Sequence, residues 1–147
     1  MLLLGTRNTS TQDLAVGDTL DLGLVYRRYC KKNNCGVKAF DFSGDGISLQ
    51  HSGIYHVTAN ITFTAPVAGD VTFQLVENGN AIVGATATET ITTATTEVRT
   101  TTIDYYVLVD SGCVLNQPTV ITESISITNT GVASTVTNVV VNVEKVV

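Results

Sequence analysis

Residues 53–66 read Gly-Ile-Tyr-His-Val-Thr-Ala-Asn-Ile-Thr-Phe-Thr-Ala-Pro, and they constrain the fold more than any other stretch. Tyr55, Val57, Ala59, Ile61 and Phe63 alternate with His56, Thr58, Asn60, Thr62 and Thr64. A period of two describes a strand with one buried face. Each fully buried Tyr, Val, Ile or Phe contributes roughly 1.5–3 kcal/mol, so this strand can be the spine of a core. Gly53 permits a tight turn into it, and Pro66 offers no ladder donor and ends it.

The rest of the composition agrees. Thr and Val are the commonest of the 147 residues, and both are β-branched, which favours pleated surfaces over helices. Hydrophobic residues make up 44% and charged ones 14%, which excludes a charge-driven disordered chain. The length suits one domain with a sizeable core. A net charge of −5 argues against a nucleic-acid partner, which needs a cationic footprint, and against a polybasic membrane role. No apolar run approaches the roughly 20 residues of a membrane span. Met1 to Leu4 is too short for a signal-peptide core, so the expectation is a protein made in the cytoplasm and not exported by a leader.

Along the chain, residues 1–16 read as an N-terminal arm. Leu2, Leu3 and Leu4 have no local apolar partner, so the arm either frays or docks its leucines on a neighbour as an attachment device. The domain proper is expected over 17–147. Thr19 to Tyr26 is its first strand. Arg27, Arg28, Lys31 and Lys32 follow, four of the chain's eight cationic residues, as either a solvated loop or an anion-binding patch. Cys30, Cys35 and Cys113 are an odd set; Cys30 and Cys35 either bridge within one loop or stay reduced.

Asp41-Phe42-Ser43-Gly44-Asp45-Gly46 has the opening spacing of a calcium loop, but Ser52 stands where the bidentate Glu belongs. The same letters make a hairpin turn, so no calcium is expected. Strands follow at Val71 to Val76 and Ala81 to Ala87, joined by Asn78-Gly79, a strong hairpin signal. A Thr-rich connection leads to a long strand from Glu97 to Val109. There Ile103, Tyr105, Val107 and Val109 face one way, and Thr102, Asp104, Tyr106 and Leu108 the other. Large residues on both faces suggest one face on the core and one on a partner. Val120 to Thr128 puts Glu123 on the face of Ile125 and Ile127, where a carboxylate needs a partner. Val136 to Val147 ends the chain with Val139, Val141 and Val143 inward. The turn spacing fits a sandwich or barrel of about eight to ten strands.

No catalytic constellation emerges. His51 and His56 are the only histidines, no Ser-His-Asp spacing is suggested, and no Gly-rich loop precedes a helix. Glu77, Asp104 and Glu123 are the carboxylates from which a hydrolytic pair would have to come. The expectation is a protein without enzymatic activity, catalytic residues, metal or cofactor.

Three segments together resemble the C1q/TNF-like family, over about residues 37–147. Gly53-Ile54-Tyr55-His56-Val57 resembles the family's Gly-Ile-Tyr strand, with Ile47 and Leu49 before it. Val71 to Gly79 is similar to the next family strand with its Asn-Gly turn, and Val107 to Gly112 to a late one. The Thr- and Val-rich character is similar to the members found in bacteria and phages. The resemblance implies an all-β jelly-roll sandwich of about ten antiparallel strands and a compact homotrimer that recognises or decorates. Tyr55, Tyr105, Tyr106, Leu108 and Glu123 are then the expected core or trimer-interface residues. The sequence lacks a collagen-like repeat, and Val139 to Val147 replaces the aromatic ending of animal members. The expectation that follows is a trimeric jelly roll on a phage virion, as capsid decoration or head-fibre module, bound to a capsid or other virion protein. A module that binds a host-surface glycan or receptor is the alternative.

Overall fold

The computed structural model describes residues 2–29, 39–109 and 123–147. Among them stand eleven strands and no helix: β1 (Leu2–Asn8), β2 (Gln12–Leu14), β3 (Leu24–Tyr29), β4 (Phe40–Phe42), β5 (Ile47–Leu49), β6 (Gly53–Thr64), β7 (Gly69–Glu77), β8 (Asn80–Ile91), β9 (Arg99–Val109), β10 (Glu123–Asn129) and β11 (Ser134–Lys145). They form two antiparallel sheets. The first runs β3-β1-β11-β6-β9, with β2 also pairing β11; the second runs β4-β5-β10-β7-β8. Among the described residues, then, no helix is long and apolar enough to cross a membrane.

The alternation of β6 is realised in full. Tyr55, Val57, Ala59, Ile61 and Phe63 are each completely buried. Their rings and branches meet the second sheet: Phe63 packs edge-on to Phe73 of β7 with ring centres 5.3 Å apart, and Tyr55 edge-on to Phe40 of β4 at 5.8 Å. Such pairs add to plain area burial. Tyr55 also donates its hydroxyl to the His51 carbonyl at 2.7 Å, which satisfies its one polar atom. On β11, Val139, Val141 and Val143 lie opposite Ile61, Ala59 and Val57, as their period requires.

The N-terminal arm is corrected. Residues 2–8 are a strand inside the first sheet, paired to β11 on one side and β3 on the other. Leu4 is completely buried, Leu2 nearly so, and both belong to the core; Leu3 points outward and is half-buried. Three adjacent leucines thus obey the period of two. Their partner is the valine strand at the far end of the sequence, which makes the ladder from Leu2↔Lys145 to Asn8↔Val139. The boundary at 16/17 therefore divides nothing, since β1 and β2 belong to the same sheet as β6 and β11.

Other boundaries move for local reasons. Thr19 makes only an isolated bridge to Thr128, and Leu20 and Leu22 are buried beside it. Gly23, at φ +78, then breaks the run so that β3 begins at Leu24. Arg27 and Arg28 consequently lie on a strand and not in a loop, while Lys31, Lys32 and all three cysteines lie outside the described residues. The Thr-rich segment joins β8 as far as Ile91. The Asp41–Gly46 motif closes the β4–β5 hairpin: the Ser43 amide donates to the Gly46 carbonyl at 3.0 Å and Gly44 takes φ +94.

The crossover from β8 to β9 is tied by Glu97. Its carboxylate accepts the Thr92 and Thr93 amides at 2.6 and 2.9 Å and the Arg99 guanidinium at 2.6 Å. The Thr93 amide, then Arg99 and the Thr92 amide, hold its pKa down from 4.5 to about 2. A carboxyl depressed in this way contributes stability above its unfolded pKa and loses it as pH falls through the folded one.

Two predictions follow from this architecture. Leu4→Ala should cost about 2–5 kcal/mol in urea unfolding and Tyr55→Ala about 3–5, while Leu3→Ala costs far less. Equal, negligible effects at Leu3 and Leu4 would return the segment to a loose arm. Glu97→Gln should lower the melting temperature most above pH 4.5, the gap closing as pH falls toward about 2. A gap independent of pH would show that the carboxylate charge is not what ties the crossover.

Candidate functional site

The two outer faces of the sandwich differ in chemistry. On the second sheet the outward side chains are mostly short and hydroxylated, as in the Thr72–Thr88 hydrogen bond at 2.8 Å and the Thr90–Asp70 bond at 2.6 Å. On its outer face the first sheet carries Leu24, Tyr26, Tyr29, Ile54, Tyr106 and Leu108 as exposed large apolar residues, against Val83 alone on the described strands of the second. Scattered exposed apolar residues need no explanation, but a one-sided gathering marks an interaction face.

Register builds this face. β6 sends Ile54, His56, Thr58, Asn60 and Thr62 outward, and their partners on β9 are Leu108, Tyr106, Asp104, Thr102 and Thr100. The two strands therefore divide into a hydroxyl half and an aromatic half. In the first, Thr62 and Thr100 bond at 3.0 Å and Thr102 donates to Asn60 at 2.7 Å. In the second, the imidazole of His56 stacks on the Tyr106 ring with centres 4.7 Å apart and planes 16° apart. Its Nε2 meets the Asp104 carboxylate at 2.5 Å. Glu144 of β11 is the cross-strand partner of His56 on the other side. Ile54 and Leu108 extend the strip, Leu108 at 64% and Tyr106 at 59% exposure.

At the opposite edge a second aromatic is held in place. The register slips between Gly5 and Thr6 where β1 meets β3, and Tyr26 is left over at the slip. Its ring lies across Gly5, where an added Cβ would come within 2.9 Å of the ring. Its hydroxyl reaches over β1 to donate to Asn142 Oδ1 at 2.9 Å. The guanidinium groups of Arg7 and Arg27 sit 5.3 and 5.7 Å from the ring centre, both within cation–π range. Beside them Arg7, Asn8, Asp21 and Leu24 line a shallow groove of about 310 Å³.

The residues singled out from the sequence separate into three places. Tyr55 is core, and Tyr105 is half-buried against it; Tyr106 and Leu108 are on the outward face. Glu123 is in the other sheet, at the start of β10, where the Asn78 amide donates to it and Asn78 Oδ1 accepts the Ser124 amide at 2.8 Å. Its neighbour Glu77 has its pKa raised by burial and by the charge of Glu123. Asp104 stands apart from these two, so the three carboxylates do not gather. Among the described residues no group of three His, Cys, Asp or Glu side chains has metal-holding geometry. The His56–Asp104 pair, the stacking of His56 and the seat of Tyr26 on Gly5 are not legible from spacing. The only hint was that His56 falls on the polar parity of its strand and that Asp104, Tyr106 and Leu108 share one face of theirs.

No protein-family model matches the sequence, and no curated protein matches it. Solved structures do match in shape. The globular domain of the zebrafish complement 1qA protein aligns over 100% of this chain and 98% of its own, with a TM-score of 0.63 and 7% identity. The Eiger TNF of S. frugiperda aligns over 99% and 91%, at 0.65 and 9%. The fold is the C1q/TNF-like jelly roll. The PRD1 vertex protein P5, a phage protein, aligns to the same jelly roll over 97% of this chain and 93% of its own, at 0.53 and 18%. These identities carry the fold and no more.

Proposed function

We propose that this protein is a non-enzymatic structural protein, a homotrimeric jelly roll displayed on a phage virion as a capsid decoration or head-fibre module. The observation that carries the reading is the one-sided apolar face of the first sheet, with Ile54, Tyr106 and Leu108 at one edge and Tyr26 and Tyr29 at the other. A face of this kind is an association surface. The second sheet, clad in Thr and Ser hydroxyls, is the side suited to face solvent. The likeness to the PRD1 vertex protein supports the virion setting. With Leu2 and Leu4 committed to the core, attachment to a capsid or other virion protein falls to the exposed cationic edge at Arg27 and Arg28 or to one end of the sandwich.

A second reading, a C1q/TNF-like module that binds a cell-surface glycan or receptor, is favoured by the higher structural similarity to the complement and TNF domains than to P5. Light scattering coupled to size exclusion should give three times the chain mass at micromolar concentration; a clean monomer would sink the trimer. Purified protein added to virions lacking it should co-sediment with them. Failure to bind particles, together with a specific signal on a glycan array, would move the assignment to the second reading.

A further inference from the structure

The end of the sandwich away from the Leu2↔Lys145 pairing holds a pocket of about 480 Å³. Leu14, Ala15, Pro66 and Ala133 give it apolar walls, and Asp13 and Asp18 are its only charged lining residues. Val16 and Val67, each next in sequence to a lining residue, are 65% and 51% exposed, so apolar groups flank it as well. An apolar recess with exposed apolar neighbours is the kind of surface a partner covers.

Both carboxylates are held through one oxygen. Thr135 donates its hydroxyl to Asp13 Oδ1 at 2.9 Å, and the Ala15 amide donates to Asp18 Oδ2 at 2.8 Å. The turn that carries Asp18 is itself pinned: the Gly17 amide donates to the Asn129 carbonyl at 2.7 Å and the Asn129 amide to the Asp18 carbonyl at 2.9 Å. The other oxygens, Asp13 Oδ2 and Asp18 Oδ1, accept no hydrogen bond among the described residues, and neither carboxylate has an ion-pair partner there. Ser134 lines the same pocket, is 2% exposed, and has a hydroxyl without a partner. A buried polar group left unpaired costs free energy that a bound donor returns. Three acceptors at one pocket therefore lack a donor.

We propose that this pocket takes a lysine side chain from a basic segment of the protein to which this one attaches. This rests on the reading of the chain as a structural protein fixed to a larger particle. The pocket is much larger than a bare ion needs, and its apolar walls suit a hydrocarbon stem with a charged tip. A compact ammonium with three donors matches acceptors on three separate residues. A planar guanidinium prefers both oxygens of one carboxylate, and here each carboxylate has already committed one. The chain's net charge of −5 favours a cationic partner in the same sense. Because the carboxylates are fixed before the lysine arrives, little ordering is left to do on this side of the contact.

The experiment uses two neutral-capped peptides, one with a single central lysine and one with norleucine in its place, titrated into the full chain and followed by its amide resonances. The lysine peptide should shift Leu14, Ala15 and Thr135 saturably, and the norleucine peptide should bind about tenfold more weakly or worse. Asp13→Asn with Asp18→Asn keeps an oxygen for each internal hydrogen bond and removes the charge, so it should erase the difference between the peptides. Ser134→Ala should weaken the lysine peptide without lowering the melting temperature, since no internal hydrogen bond is lost. Equal binding of the two peptides, or shifts confined to other parts of the chain, would overturn the site. On virions lacking the protein, the wild type should co-sediment and the Asp13→Asn, Asp18→Asn variant should not. A variant that co-sediments as well as the wild type would overturn the docking role while leaving the virion reading intact. A wild type that fails to bind particles would instead sink the virion reading, and the peptide titration still decides whether the pocket selects lysine.

Discussion

The antiparallel ladder between β6 and β11 is the contact on which the rest depends. It runs from Thr135↔Thr64 to Lys145↔Tyr55, and β11 spends its other edge on β1 and β2. The last strand of the chain is thus the centre of the first sheet, and it lines up Val57, Ala59 and Ile61 with Val143, Val141 and Val139. Remove it and three strands lose their neighbour at once. Because it pairs with the first strand, the sheet cannot close until the whole chain is available. Such non-local pairing makes folding slow relative to a helical protein of the same size.

That dependence also explains what was legible in the sequence. The inward sets on β6, β7 and β11 could be read because a half-buried strand writes a period of two into its own residues. The Asn78-Gly79 hairpin could be read because only a few residues tolerate its backbone, and Asn78 does sit at φ +50. The role of Leu2 to Leu4 could not. A run of three leucines carries no internal alternation, and the partner that decides which of them is inward, β11, lies some 140 residues away. The candidate face was half legible. Parity put Asp104, Tyr106 and Leu108 on one face of their strand without saying which face met the core, and the stacking of His56 and its contact with Asp104 join residues 48 positions apart. Tyr26 over Gly5 depends on a register slip that no local pattern announces.

The sandwich treats its edges in opposite ways. On β8, the edge of the second sheet, the register slips opposite Gln74 and Val76, and Gly84 takes φ +86. The bulge is held from inside: the buried Gln74 amide nitrogen lies 2.8, 2.7 and 3.2 Å from the carbonyls of Leu75, Ile82 and Ala85. Val83 is pushed out to 93% exposure. A bulge that disrupts the ladder denies another strand a straight row of partners. A buried amide with three acceptors is a costly way to shape an edge unless an unshaped edge is worse.

On β3 and β9 the edges of the first sheet are handled through their faces. Each carries an aromatic ring fixed by neighbours, with arginines around one and the imidazole of the His56–Asp104 pair stacked on the other. The same two-sheet fold therefore shapes one edge with a backbone bulge and dresses the face of the other sheet with fixed side chains. Backbone pairing at an edge is indiscriminate, since every strand offers the same donors and acceptors. Side-chain charge on a face is selective, because a wrong match places like charges together.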